Sequence, residues 1–191
     1  MGCDIHIKIE KRVDNTWVDV PWTSSDKREY SPKHDPTGKL ELSDYFDGRN
    51  YNLFGILADV RQGTWGDNIP PIAEPRGIPE DSPWFNESES SDFDTWFGDH
   101  SFSFVTLKEL LDYDWDASYT YYTQASKEVA EEMARTGNPP TSWCAWGTNC
   151  VPVTWQTTRR HAVHEWPDDV LPVLQQLGDP DDVRLVFGFD S

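Results

Sequence analysis

Val183-Arg184-Leu185-Val186-Phe187-Gly188-Phe189 is the stretch on which the fold turns. It is nearly continuous in apolar residues over the length of one strand, so both faces should be buried at the centre of a sheet. Just upstream, Pro167 followed by Asp168 and Asp169 opens a helix carrying Val170, Leu171, Val173, Leu174 and Leu177, which stops at Gly178. Before that helix, Val151 to Thr158 alternates as a strand does and extends toward Val163. Strand, helix and strand over 151–189 predict a crossover unit, right-handed where its strands are parallel neighbours.

The other end of the chain alternates more cleanly. Ile5, Ile7 and Ile9 interleave with His6, Lys8 and Glu10, which predicts a strand over about 3–12. Period two sends Asp4 and His6 to one face and Cys3 and Ile5 to the other. Val13-Asp14-Asn15-Thr16 then reverses the chain into Trp17–Val20, because Asp and Asn tolerate positive φ at the centre of a hairpin turn.

Between the two ends, Leu53, Phe54, Leu57, Val60 and Arg61 share one face of a helix over about 51–62, in which Gly55 points to a close packing partner. Thr106-Leu107-Lys108-Glu109 is a capping box that starts a short helix ending near Tyr113. A further helix covers about 125–136, with Val129 and Met133 on its buried side, and stops at Gly137-Asn138-Pro139-Pro140. Residues 21–47 read as a long loop with a short strand at Leu40–Leu42. Residues 63–98, with prolines at 70, 71, 75, 79 and 83 and an acidic run from Asn86 to Asp92, read as a long irregular insert or flap. The expected fold class is α+β. It comprises a single mixed sheet containing both chain termini, about four helices packed on it, and the insert, all in one domain over 1–191.

Composition narrows the function. Ten Trp, nine Phe and seven Tyr against two Met predict an aromatic core. Thirty-four acidic and 16 basic residues give a net charge of −18, which makes nonspecific binding to nucleic-acid phosphates repulsive. No run approaches the roughly 20 apolar residues of a membrane span. The expectation is a soluble protein of the cytoplasm with no membrane partner. Three cysteines without a secretory signal are expected to be thiols. Cys144 and Cys150 are spaced too widely for a zinc knuckle and read as two packed thiols.

The chemistry-bearing residues cluster in three places. Asp4 and His6 project from one face of the opening strand. Asp99 and His100 follow Gly98 in a polar turn. Arg49, Tyr51 and Arg61 flank the helix over 51–62. Two carboxylates and two imidazoles, Asp4, His6, Asp99 and His100, make a plausible set for a divalent ion such as zinc or manganese, with an open position for water. Such an ion would acidify that water and polarise a phosphoryl or carbonyl oxygen. Arg49 or Arg61 can grip a phosphate by a bidentate fork, with Tyr51 beside it. Each has a structural alternative: a capped turn at Asp99-His100-Ser101, and an Arg49–Asp59 pair that fixes the helix. His161 and His164, three apart, read as solvent-facing. Cys3 lies on the opposite strand face from His6, which argues against a thiolate–imidazole pair.

Several of these segments together resemble a family of small tailed-phage and prophage proteins. They are Met1-Gly2-Cys3-Asp4-Ile5-His6, Arg49-Asn50-Tyr51-Asn52-Leu53-Phe54 running to Asp59-Val60-Arg61, Gly98-Asp99-His100-Ser101, Thr106 to Leu111, and Asp181-Asp182-Val183 to Asp190. The family has no established activity, so the resemblance implies origin rather than function. Its polar positions here are Cys3, Asp4, His6, Arg49, Tyr51, Asp59, Arg61, Asp99, His100, Ser101 and Asp190. Gly188 stands where the pattern has an aromatic, and Ser191 where it has Asn. The expected function is a phage accessory protein working as a metal-dependent hydrolase on a nucleotide or other phosphoester in the host cytoplasm. The competing expectation is a non-catalytic inhibitor or anti-defence protein that binds a host protein or a signal nucleotide, one version being an acidic DNA mimic.

Overall fold

The computed structural model describes residues 2–24, 40–42, 46–62, 69–85, 97–144 and 149–190. Its class is α+β. Strand β1 (Asp4–Val13) turns into β2 (Thr16–Val20) through Asp14 and Asn15, both left-handed at φ 49° and 62°. This is the hairpin that the Asp-Asn dipeptide predicts. β3 (Trp22–Ser24) pairs in parallel with β4 (Leu40–Leu42), after which α1 (Tyr51–Ala58) is capped by the Asn50 side chain. β5 (His100–Thr106) leads into α2 (Leu107–Asp112) through the expected capping box. β6 (Ser118–Ser126), α3 (Lys127–Thr136) and β7 (Cys150–Thr158) follow in order. The chain finishes with the one-turn α4 (Arg159–Ala162), α5 (Trp166–Leu174) and β8 (Val183–Asp190).

The main sheet has four strands in the order β2-β1-β8-β5, with every neighbouring pair antiparallel. The expected mixed sheet is therefore corrected to an antiparallel one. The crossover unit over 151–189 does not form either, because β7 pairs with β6 in a separate two-stranded sheet while β1 and β5 occupy both edges of β8. The run does not extend to Val163 as strand. Thr158 caps the one-turn helix α4 there. α1 stops short of residue 62 because Asp59 turns left-handed at φ 56° and Val60 N–H closes back on the Phe54 carbonyl. Gly55 does have a close partner, since a Cβ there would lie 2.7 Å from the Gln62 side chain.

β8 is buried on both faces by two different layers. On one face, Leu185, Phe187 and Phe189 join Ile5, Ile7 and Ile9 of β1, Leu53, Phe54 and Leu57 of α1, and Trp166 of α5 in the main core. The second face carries Arg184, Val186 and Gly188, in register with Glu10, Lys8 and His6. It is covered by the described part of the insert: Trp84 stacks on Phe97 and Phe97 on Phe102 at 6.3 and 6.0 Å. An antiparallel sheet usually exposes one face. Here the insert does the covering that crossover helices do in parallel sheets. Gly188 makes this layer possible, for a Cβ there would come 2.3 Å from the Phe97 carbonyl and 2.6 Å from the Phe102 ring. Phe102 thus fills the space that an aromatic at 188 would need.

Under this layer lies a buried ion pair. Arg184 Nε donates to Glu10 at 2.7 Å, the two side chains being 5 % and 0 % exposed. Ser82 of the insert donates to the other Glu10 oxygen at 2.5 Å, and Arg184 lies 3.9 Å over the Trp17 ring. Burial pushes the Glu10 carboxyl up, against the pull of Ser82 and Arg184.

The β6–β7 unit stands apart from the sheet. Its α3 is amphipathic and has no fully buried residue, so Val129 and Met133 are half-buried rather than core. A groove of about 520 Å³ opens between α3 and β7, lined by Met133, Pro139, Val153 and Trp155 among others. Cys144 and Cys150 are disulfide-bonded with Cα atoms 6.2 Å apart, which corrects the expectation of packed thiols. The physical reason is strand pairing. Cys144 N–H donates to the Gln124 carbonyl while Cys150 pairs with Ser126, so β6 brings the two side chains together.

Candidate functional site

Because β8 runs antiparallel to both neighbours, its end meets the beginnings of β1 and β5. Asp4 is in register with Asp190, His6 with Gly188, and His100 with Phe189. His6 and His100 therefore lie at one end of the sheet, two strand spacings or about 10 Å apart at the backbone. Arg49 precedes α1 and Arg61 follows it, and both reach this same end.

The first cluster is centred on Asp190. One oxygen accepts from the Asp4 backbone N–H at 3.1 Å, and the other lies 3.1 Å from His6 Nε2. His6 and Asp190 keep 26 % and 43 % of their side chains exposed, so the pair is open to solvent and to a ligand. Asp4 accepts a bidentate fork from Arg49, with Nε at 2.8 Å and Nη2 at 2.6 Å. That hydrogen bonding holds the Asp4 carboxyl below the usual aspartate range, with burial opposing it. Arg61 donates to the Gly2 carbonyl at 3.3 Å and sits 6.0 Å over the half-exposed Tyr51 ring. Cys3 turns to the core as the alternation requires. Burial pushes its thiol up, against a hydrogen bond with Arg61.

The second cluster is a turn locked onto β8. Gly98 is left-handed at φ 93°, where a Cβ would lie 2.4 Å from the Phe189 carbonyl, and Asp99 N–H donates to that carbonyl at 2.7 Å. The His100 ring stacks on Phe189 at 6.1 Å. Its Nδ1 lies 2.9 Å from Ser101 Oγ, and its Nε2 lies 3.9 Å from an Asp99 oxygen. Ser101 is itself left-handed at φ 52°, and the β5–β8 register shifts between His100 and Ser103. A bulge at this point re-aims a side chain that a regular strand would alternate.

All seven residues singled out from the sequence thus sit at one end of the sheet, in three groups. Asp4, His6 and Arg49 join through direct contacts and Asp190, Arg61 lies over Tyr51, and Asp99 and His100 join with Ser101. Arg49 pairs with Asp4 rather than Asp59, whose carboxylate accepts from Gln62. Among the described residues, no group of three or more His, Cys, Asp and Glu side chains comes together in a way that could hold a metal ion. The residue that reasoning from spacing leaves out is Asp190. It is 184 positions from His6, and its only signal is the shared ending of the family resemblance. His161 of α4 lies 2.8 Å through Nδ1 from Glu165, the residue that precedes α5, and both it and His164 are exposed. No helix among the described residues is long and apolar enough to cross a membrane. No protein-family model, curated protein or solved structure matches the chain.

Proposed function

We propose that the chain is a phage-derived accessory hydrolase acting on a nucleotide or other phosphoester, with its site at the end of the sheet where β1 and β5 begin. The observation that carries this reading is the half-exposed His6–Asp190 pair at 3.1 Å, set among two arginines. A carboxylate on one ring nitrogen fixes the imidazole tautomer and stabilises the imidazolium, leaving Nδ1 of His6 to take a proton from water or return it to a leaving group. Arg49 and Arg61 supply the anion recognition. A phosphate would compete with Asp4 for the Arg49 fork, a geometry that suits two oxygens of either group. Tyr51 beside Arg61 offers a face on which a base can stack.

A divalent ion such as zinc or manganese belongs to the proposal as an arm of its test. In the present arrangement Asp4 gives both oxygens to Arg49 and His6 gives Nε2 to Asp190, so an ion would have to draw these donors away. Turnover of aryl phosphate mono- and diesters and of nucleotides should be measured with chelator, with zinc and with manganese. His6→Ala and Asp190→Asn are expected to lose about 10²–10⁴-fold in rate while remaining folded. Failure of the parent protein on every substrate under all three conditions, or undiminished rates in both variants, would refute the reading.

The second reading, a non-catalytic inhibitor of a host protein, draws on the net charge of −18 and on Trp143, which is 63 % exposed. Under it, His6→Ala would leave pull-down of a host partner intact, and Trp143→Ala would abolish it.

A further inference from the structure

We propose that Ser101 is the nucleophile of this site, that His100 is its base, and that phosphoester hydrolysis passes through a phosphoseryl intermediate. The inference rests on the hydrolytic reading above and deepens it. Three consecutive residues supply the parts. Ser101 Oγ lies 2.9 Å from His100 Nδ1, and Asp99 lies 3.9 Å from Nε2 on the far side of the ring. The separation from Asp99 exceeds a hydrogen bond, yet its charge still favours the tautomer with the proton on Nε2, which leaves Nδ1 as acceptor. The imidazole is held by its stack on Phe189.

The backbone gives the independent argument. Ser101 is a non-glycine residue in the left-handed region, φ 52°, and it stands in a bulge. Such a conformation persists only where its surroundings enforce it, and these sites concentrate where a side chain must be presented. The enforcing contacts are visible. Gly98 and Asp99 are pinned to the Phe189 carbonyl on one side, and Ser103 resumes register with Phe187 on the other. A serine that merely closed a turn would be better served there by glycine.

The chemistry balances without a further reactant. As Ser101 Oγ attacks phosphorus its proton passes to His100 Nδ1. The Oγ–P bond forms, the bond to the leaving alcohol breaks, and that oxygen, on the opposite side of phosphorus from Oγ, takes a proton from the His6 imidazolium. Water then attacks the phosphoserine from that side with His6 accepting its proton. The P–Oγ bond breaks, and Oγ recovers the proton from His100.

The test is labelling of the full chain with a fluorophosphonate probe, located by peptide mass spectrometry, beside phosphoester turnover. One label is expected on Ser101. It should be absent in Ser101→Gly, whose thermal midpoint should equal or exceed the parent's because the left-handed strain is relieved. His100→Ala should slow labelling by about a hundredfold or more. His6→Ala should label normally while losing turnover. No label on Ser101, or parent-like turnover by Ser101→Gly, would overturn the inference. If Ser101→Gly keeps turnover and His6→Ala loses it, only the seryl intermediate falls. If the parent neither labels nor turns over substrate, the hydrolytic reading falls with it.

Discussion

Replacing Arg184 by Met should cost far more than any surface substitution, and the cost should depend on pH. The guanidinium is almost wholly enclosed and satisfies a Glu10 carboxylate that has no access to water. Removing one partner of such a pair strands the other charge, at about 3–5 kcal/mol, and the lost contact with the Trp17 ring adds about 1 kcal/mol. For a chain of this size the total of about 4–6 kcal/mol corresponds to a fall of roughly 8–24 °C in thermal midpoint. Burial already holds the native Glu10 pKa above its unfolded value, and loss of Arg184 raises it further. In the window between the unfolded and native values the folded state binds the extra proton, so stability falls as pH rises through it. The deficit should therefore be largest near neutrality and shrink toward about pH 4, where Glu10 protonates without unfolding the chain. Glu10→Leu combined with Arg184→Met removes both charges and should recover most of the loss. Calorimetry of parent, single and double variants between about pH 4 and 7 gives all three quantities. An unchanged midpoint in the single variant, a loss independent of pH, or a double variant less stable than the single would refute the reasoning.

Three further outcomes are expected. Gly188→Ala drives a methyl against the Phe97 carbonyl, which as backbone cannot swing aside, and should cost about 1–3 kcal/mol in denaturant melts; a loss within error would mean that the insert layer is looser than its contacts imply. Cys150→Ser, or reduction, opens a disulfide spanning six positions and should cost about 2 kcal/mol, read as faster amide exchange in β6 and β7 with β1 and β8 unchanged. Equal protection in both redox states would count against it. Glu109 grips Arg76 of the insert through both oxygens and caps α2, and although burial works against its charge these bonds hold its carboxyl below the usual glutamate range. Its contribution is thus present above the ordinary glutamate pKa and lost as pH falls through the native value. Glu109→Gln should lower stability by about 1 kcal/mol at neutral pH and flatten the acid limb, and an identical acid limb would contradict this.

The geometry of the candidate site was legible in the sequence where a single strand or a single turn sets it. Alternation alone put Asp4 and His6 on the face away from Cys3, because side chains on a strand have no other choice. It could not supply Asp190, since strand pairing between residues 186 positions apart depends on which edges of β8 remain open to which partner. The same limit hid the Arg49–Asp4 fork, for charge pairing across 45 positions has no local signature. His100 and Ser101 were visible as residue types, but their mutual contact required a left-handed backbone that no propensity gives to serine.

The hairpin at Asp14-Asn15, the Thr106–Glu109 capping box and the burial of Val183–Phe189 were determined by the sequence itself. Each is an energetic preference settled within a few residues, or, for the last, by hydrophobicity that no exposed position would tolerate. Only the tertiary structure decided what buried that last strand. The apolar run is equally compatible with parallel neighbours beneath crossover helices and with antiparallel neighbours beneath a proline-rich insert. The choice fell to the second because β1 and β5 took both edges of β8, β7 paired with β6, and Gly188 left room for Phe97 and Phe102 to lie against the open face. Contacts of that kind are selected by the shape of the whole core, and no window of the chain contains it.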